Sequence, residues 1–189
     1  AYIADGLNGL IVLNIADPSN PKFVEELRLP WPASAFASAE ATEISGDHLY
    51  VIYNRGGVHV FDIRDPRRAI PVAFLDLPGY LNDIQISGDF ALLATTEGCI
   101  VLDIRDPHNP AVIDRNRTLD NVNRIASDGS AFFPLSALSG VQRSPLPLIP
   151  DEILAGEGKD LSISFPVKGR GKYRLALFDS AKKRFYSEI

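Results

Sequence analysis

Gly57-Val58-His59-Val60-Phe61-Asp62-Ile63-Arg64-Asp65-Pro66 is the stretch on which the fold turns, because the chain repeats it. Gly9-Leu10-Ile11-Val12-Leu13-Asn14-Ile15-Ala16-Asp17-Pro18 precedes it, and Gly98-Cys99-Ile100-Val101-Leu102-Asp103-Ile104-Arg105-Asp106-Pro107 follows it. A second landmark, Ile44-Ser45-Gly46-Asp47, returns as Ile86-Ser87-Gly88-Asp89. The unit is 41 or 42 residues long, and 48 in the first copy. A period of roughly 20–50 residues is the signature of stacked supersecondary units, none of which buries its apolar surface alone.

Each unit reads as strands. Tyr2-Ile3-Ala4, Leu49-Tyr50-Val51-Ile52 and Ala91-Leu92-Leu93-Ala94 are short apolar runs rich in β-formers. The Gly-led runs supply a second strand. Their Asp-Pro exits are turns, since proline fixes φ and the aspartate side chain bonds nearby backbone amides. Phe23-Val24-Glu25-Glu26-Leu27-Arg28-Leu29 and Val72-Ala73-Phe74-Leu75-Asp76-Leu77 supply a third, and Asp83-Ile84-Gln85-Ile86 a fourth. No segment before residue 150 carries a capped helical period. Four short strands in about 40 residues describe a propeller blade. The expected fold is all-β: a partial β-propeller of about three blades plus a degenerate fourth.

The order Gly-x-x-Val-x-Asp-Ile-x-Asp-Pro, then Pro-Gly-Tyr, then Ser-Gly-Asp, seen at 57–66, 78–80 and 87–89, resembles the LVIVD repeat family. The likeness covers about residues 1–130. It implies propeller-type repeats in bacterial proteins of the surface or secreted class, and it implies no shared catalytic set. The first copy departs from the pattern with Asn14 where Asp62 and Asp103 stand, and with about six extra residues in 31–38. The third loses register near 123–129. A fourth starts at Ala131-Phe132-Phe133, continues weakly to Arg143 and never reaches an Asp-Pro turn.

Residues 1–150 are expected to hold the blades, and 151–189 a basic, β-rich tail. Pro145-Leu146-Pro147-Leu148-Ile149-Pro150 leads from one to the other as a linker or edge strand. Leu161-Ser162-Ile163-Ser164-Phe165-Pro166-Val167 and Tyr173-Arg174-Leu175-Ala176-Leu177-Phe178-Asp179 alternate with period 2 around Lys168-Gly169-Arg170-Gly171-Lys172. These two runs are expected to pair as a β-hairpin, the start of a small sandwich-like tail. Residues 1–158 carry 11 basic and 21 acidic side chains, a balance of −10, whereas 159–189 carry 8 and 3, a balance of +5. The hydrophobic fraction of 46% supports a folded core. No apolar run is long enough to span a bilayer. Methionine is absent altogether, so the chain is expected to start inside a longer protein.

The candidate sites divide between structural and functional readings. Cys99 is the single cysteine and aligns with Leu10 and Val58, a buried strand position where cysteine packs as a small hydrophobe. His48, His59 and His108 fall at different repeat positions and read as exposed strand and turn residues, so no metal and no cofactor is expected. Asp17, Asp65 and Asp106 recur in one turn, as capping residues do. Tyr80, Asn82 and Asp83 lie where the chain enters an inner strand, beside one mouth of a propeller channel. Trp31 and Phe36 occupy that same loop position in the first copy, where rim aromatics anchor partners. These five are the candidate binding residues. Lys168, Arg170, Lys172 and Arg174 are a weaker candidate for anions, polysaccharide among them. Nucleic acid is not an expected partner, and no Gly-x-Ser-x-Gly elbow or P-loop is present.

These features point to a non-catalytic propeller module of a larger secreted or cell-surface protein, serving as a structural or interaction platform. Its ring is expected to need missing blades of the same protein or another chain. The alternatives are an enzyme domain, hydrolase or lyase, with its site at the channel mouth, and a carbohydrate or anion binder acting through the basic tail.

Overall fold

A computed structural model describes residues 1–27, 37–117 and 119–147, together with the strand backbones 152–154, 162–164, 174–178 and 184–188. The described elements are strands, turns and bends, and none is helical. The chain divides into two units, Ala1–Pro147 and Leu148–Ile189.

The first unit holds four antiparallel sheets in sequence. Strands β1 (Tyr2–Ala4), β2 (Leu10–Asn14) and β3 (Lys22–Leu27) make the first. The second is β4 (Ala39–Ser45), β5 (His48–Tyr53), β6 (Gly57–Asp62) and β7 (Ile70–Leu75). The third is β8 (Leu81–Ser87), β9 (Phe90–Thr95), β10 (Gly98–Asp103) and β11 (Ala111–Asn116). In the fourth, β12 (Val122–Ser127) pairs with β13 (Ala131–Ser136). The other edge of β13 is shared by two short strands, β14 (Gly140–Val141) and β15 (Ser144–Pro145). This is the propeller-like arrangement expected: regular sheets followed by a degenerate fourth. The sheets remain open. Within 123–129, where the repeat loses register, the residues up to Ser127 still pair as β12.

The sequence unit and the sheet are one strand out of phase. Asp83-Ile84-Gln85-Ile86, the last strand of its sequence unit, lies in β8 and pairs forward with β9. Pairing assigns it to the next sheet, because a turn at Gly88 joins β8 to β9 directly while a longer loop separates it from β7. The first sheet accordingly has counterparts of the second, third and fourth strands of its neighbours.

Period 2 sends alternate side chains of one strand to opposite faces, and in the second and third sheets both faces are covered. From β5, Leu49, Val51 and Tyr53 pack with Leu10 of the first sheet. Tyr50 and Ile52 of the same strand pack with Leu81, Leu93 and Ile100 of the third. From β9 and β10, Leu92, Ala94, Cys99 and Val101 pack with Val122, Ile125 and Phe132 of the fourth. This explains why β5, β6, β9 and β10 read as unbroken apolar runs. The outermost strands β3, β7 and β11 are largely exposed and correspondingly mixed in composition.

The Gly that opens each motif has a positive φ, 92° at Gly9, 72° at Gly57 and 116° at Gly98. A Cβ at Gly57 or Gly98 would also strike the outer strand's end, at Leu75 O and Asn116 O. Only glycine meets both demands. The exit turns form as their residues dictate. Asp17, Asp65 and Asp106 each accept the amide two residues on, from Ser19, Arg67 and His108. Asn14, Asp62 and Asp103 do the same for Ala16, Arg64 and Arg105, so asparagine serves in the first copy because its carbonyl accepts equally well.

Among the described residues of the second unit, two antiparallel strand pairs are formed. β16 (Glu152–Leu154) pairs with β17 (Ser162–Ser164), and β18 (Arg174–Phe178) pairs with β19 (Arg184–Glu188). Both alternating runs are strands as expected, but each pairs with a different segment rather than with the other. Alternation marks a strand and its faces, and does not choose its partner.

Candidate functional site

Each sheet has two ends. The turns joining β5 to β6 and β9 to β10, with the loops between sheets, lie at one end, and the Gly46 and Gly88 turns with the Asp-Pro turns lie at the other. The first end is stitched by backbone bonds that step from sheet to sheet: Ala39 N donates to Gly6 O, Leu81 N to Asn54 O and Asn121 N to Thr96 O. Tyr80 sits on this rim. Its backbone oxygen accepts from Thr96 N, and its ring, partly exposed, carries the Arg55 guanidinium 4.5 Å above its centroid. Arg55 was not singled out from the sequence, because it lies in the β5–β6 turn of the second sheet and nothing local ties it to Tyr80.

Asn82 and Asp83 are engaged with the fourth sheet. The β8–β9 register skips a residue between Leu81 and Asp83, so Asn82 is a bulge residue released from the ladder. Its Nδ2 donates to Val122 O in the fourth sheet at 2.8 Å. Asp83 lies within β8, where Oδ2 accepts the Ile125 amide at 3.1 Å and Oδ1 is 3.8 Å from the Arg124 guanidinium. Ser87 Oγ and Ser127 Oγ continue the seam, 2.8 Å apart. These side chains tie neighbouring innermost strands together. On the other side of β8, burial and then the charge of Asp83 raise the Glu43 carboxyl above its ordinary value, against the Ile44 amide that lowers it. Glu43, Asp83 and Arg124 thus form a short charged row along the innermost strands.

Trp31 and Phe36, and Lys168, Arg170 and Lys172, lie outside the described residues. Arg174 begins β18.

Of the histidines, His59 differs from expectation. His59 is fully buried rather than exposed, because β6 is covered on both faces. Its Nε2 bonds to Gly56 O at 2.9 Å, and its ring packs against Tyr53 and Phe74. Burial pulls its pKa down to about 4, against a smaller opposing effect of the Gly56 carbonyl. His48 and His108, from different units, meet edge-on with ring centroids 6.0 Å apart. Cys99 is buried as its alignment implied, and burial pushes its thiol up to about 12, helped by the charge of Asp114. No group of three or more metal-ligating side chains converges among the described residues. A shallow depression lined by Pro78, Thr95, Glu97, Arg115 and Arg117 has room for about one water molecule at most.

Comparison with curated proteins finds no match. The family model described as LVIVD repeat matches residues 1–28 and 78–118. The first match covers β1 to β3 and the second covers β8 to β11, and the sheet of β4 to β7 between them repeats the same strand order. Residues 1–28 and 78–118 are thus similar to the LVIVD repeat, and they form the first and third of the successive antiparallel sheets of a β-propeller-like array.

Proposed function

We propose that this chain is a non-catalytic propeller module of a larger secreted or cell-surface protein, serving as an interaction platform through the rim that carries Tyr80 and Arg55. The observation that carries this reading is the use already made of the polar groups. Asn82 and Asp83 are spent on the seam between the third and fourth sheets. His59 and Cys99 are enclosed in the core. The Arg55–Tyr80 stack is the part of this region that combines exposure, an aromatic face and a charge, which is the chemistry of a partner anchor. Further blades, of the same protein or another chain, would complete the ring.

The test is a photo-crosslinking residue placed at Tyr80 of the full-length protein on intact cells, with a second at Asp128 on the opposite rim as control. A discrete adduct from position 80, absent from position 128 and lost with Arg55→Ala, supports the platform. No adduct from position 80, or equal adducts from both rims, refutes it.

A second reading draws on Glu43. A carboxyl raised above its ordinary value beside a second acidic side chain is a pattern met in acid–base catalysis, and Glu43, raised by burial and then by the charge of Asp83, has that pattern. Hydrolase or lyase turnover by the wild type, abolished in Glu43→Gln with an unchanged melt, would favour it over the platform.

A further inference from the structure

The two outermost sheets of the first unit each leave one apolar face uncovered, and the faces are of opposite kind. In the repeat, Ile3 stands where Val51 and Leu93 stand, and Leu13 stands where Phe61 and Leu102 stand. Val51 and Phe61 pack on the sheet before theirs, as do Leu93 and Leu102. In the first sheet this backward face is open: Ile3 is 42% exposed and Phe23, opposite Leu13, is 64% exposed.

At the other end, Leu135 and Val141 are cross-strand partners. They occupy the positions of Ile52 with Val58, and of Ala94 with Cys99, which are buried against the following sheet. In the fourth sheet this forward face is open, with Leu135 42% and Val141 65% exposed. Ala137, whose amide bonds to Asn121 O, holds the stitching position that Asn54 and Thr96 hold in the earlier sheets. A backward face and a forward face are the two halves of every sheet-to-sheet contact within the chain.

We infer that two copies of the chain associate head to tail, the forward face of the fourth sheet of one covering the backward face of the first sheet of the other. The inference rests on the proposed reading of the module as a propeller completed by further blades, and names a second copy as their source. The contact continues the three interfaces already present and uses the same faces. It is heterologous, and two such contacts close a pair of chains without leaving either face exposed. Four sheets from each copy give eight, within the usual range of propeller rings.

The experiment is sedimentation velocity of the full chain across a concentration series, with Leu135→Asp, Ile3→Asp and an equimolar mixture of the two. Both positions are exposed in the single chain, so thermal melts of the variants at low concentration serve as the check on folding, and Val141→Asp is the alternative for the fourth sheet. Expected is a two-chain species for the wild type, single chains for each variant alone, and recovery of association in the mixture, where one unaltered pair of faces remains. A wild type that stays monomeric overturns the inference, as does association insensitive to both substitutions or a mixture that fails to recover. Crosslinking from Tyr80 reads the rim, so it can succeed while this inference fails, and the reverse.

Discussion

Replacing Gly98 by alanine isolates the reason the repeat opens on glycine. At φ +116° an L-residue is strained, by about 1–3 kcal/mol. The new Cβ would sit 2.0 Å from Asn116 O and 2.8 Å from Leu119 O, and both are backbone atoms that cannot swing aside. The Asn116 carbonyl must retreat by roughly an ångström to restore van der Waals contact. That loosens the Cys99–Asn116 end of the β10–β11 pairing, a hydrogen bond worth about 1 kcal/mol. The sum is about 3 kcal/mol, on the order of 10 °C in Tm for a chain of this length. Gly88→Ala is the matched control. Its φ is also positive, at 59°, but nothing lies within 4 Å of the added methyl, leaving about 1 kcal/mol of conformational strain. Urea denaturation of both variants against the wild type is the assay. Equal losses in the two would refute the reasoning, because they would mean that backbone conformation alone, and not the approach of the outer strand, requires glycine.

Acid should destabilise the first unit through His59. Its folded pKa of about 4 lies below the ordinary value of 6.5, so the unfolded chain takes up the proton first. The stability held above pH 6.5 is lost as pH falls toward 4, up to about 3 kcal/mol. Urea midpoints measured across that window should drop in the wild type and stay flatter in His59→Phe. A parallel decline in both would show that other groups dominate. The carboxylates of Asp62, Asp103, Asp106 and Asp128, all lowered chiefly by side-chain hydrogen bonds, add their own loss at still lower pH. Asp83→Ala removes the acceptor of the Ile125 amide and should destabilise by about 1–3 kcal/mol in thermal or urea melts. A neutral effect would mean that Asp83 is not part of the seam. Cys99, buried and held in the thiol form, should react with a disulfide reagent only as fast as the chain opens, and fast modification of the native protein would contradict its placement.

The strands, the turns and the propeller-like class were legible in the chain itself. They rest on local rules: apolar runs of strand length, glycine where φ must be positive, and Asp-Pro where the chain must turn. Cys99 could be placed in the core by alignment with Leu10 and Val58, because equivalent positions meet equivalent neighbours. The seam was not legible. Asn82 and Asp83 looked like channel-mouth residues, and their partners Val122 and Ile125 lie in a strand about one repeat away whose pattern is weak. The burial of His59, the meeting of His48 with His108 and the partners of the tail strands were hidden for the same reason. So was the one-strand offset between sequence unit and sheet. Period-2 patterning states that a strand has two faces and which residues share one. What covers each face, and which edge each strand pairs with, is decided by hydrogen bonds and packing between segments distant in sequence, and only the tertiary structure assigns those.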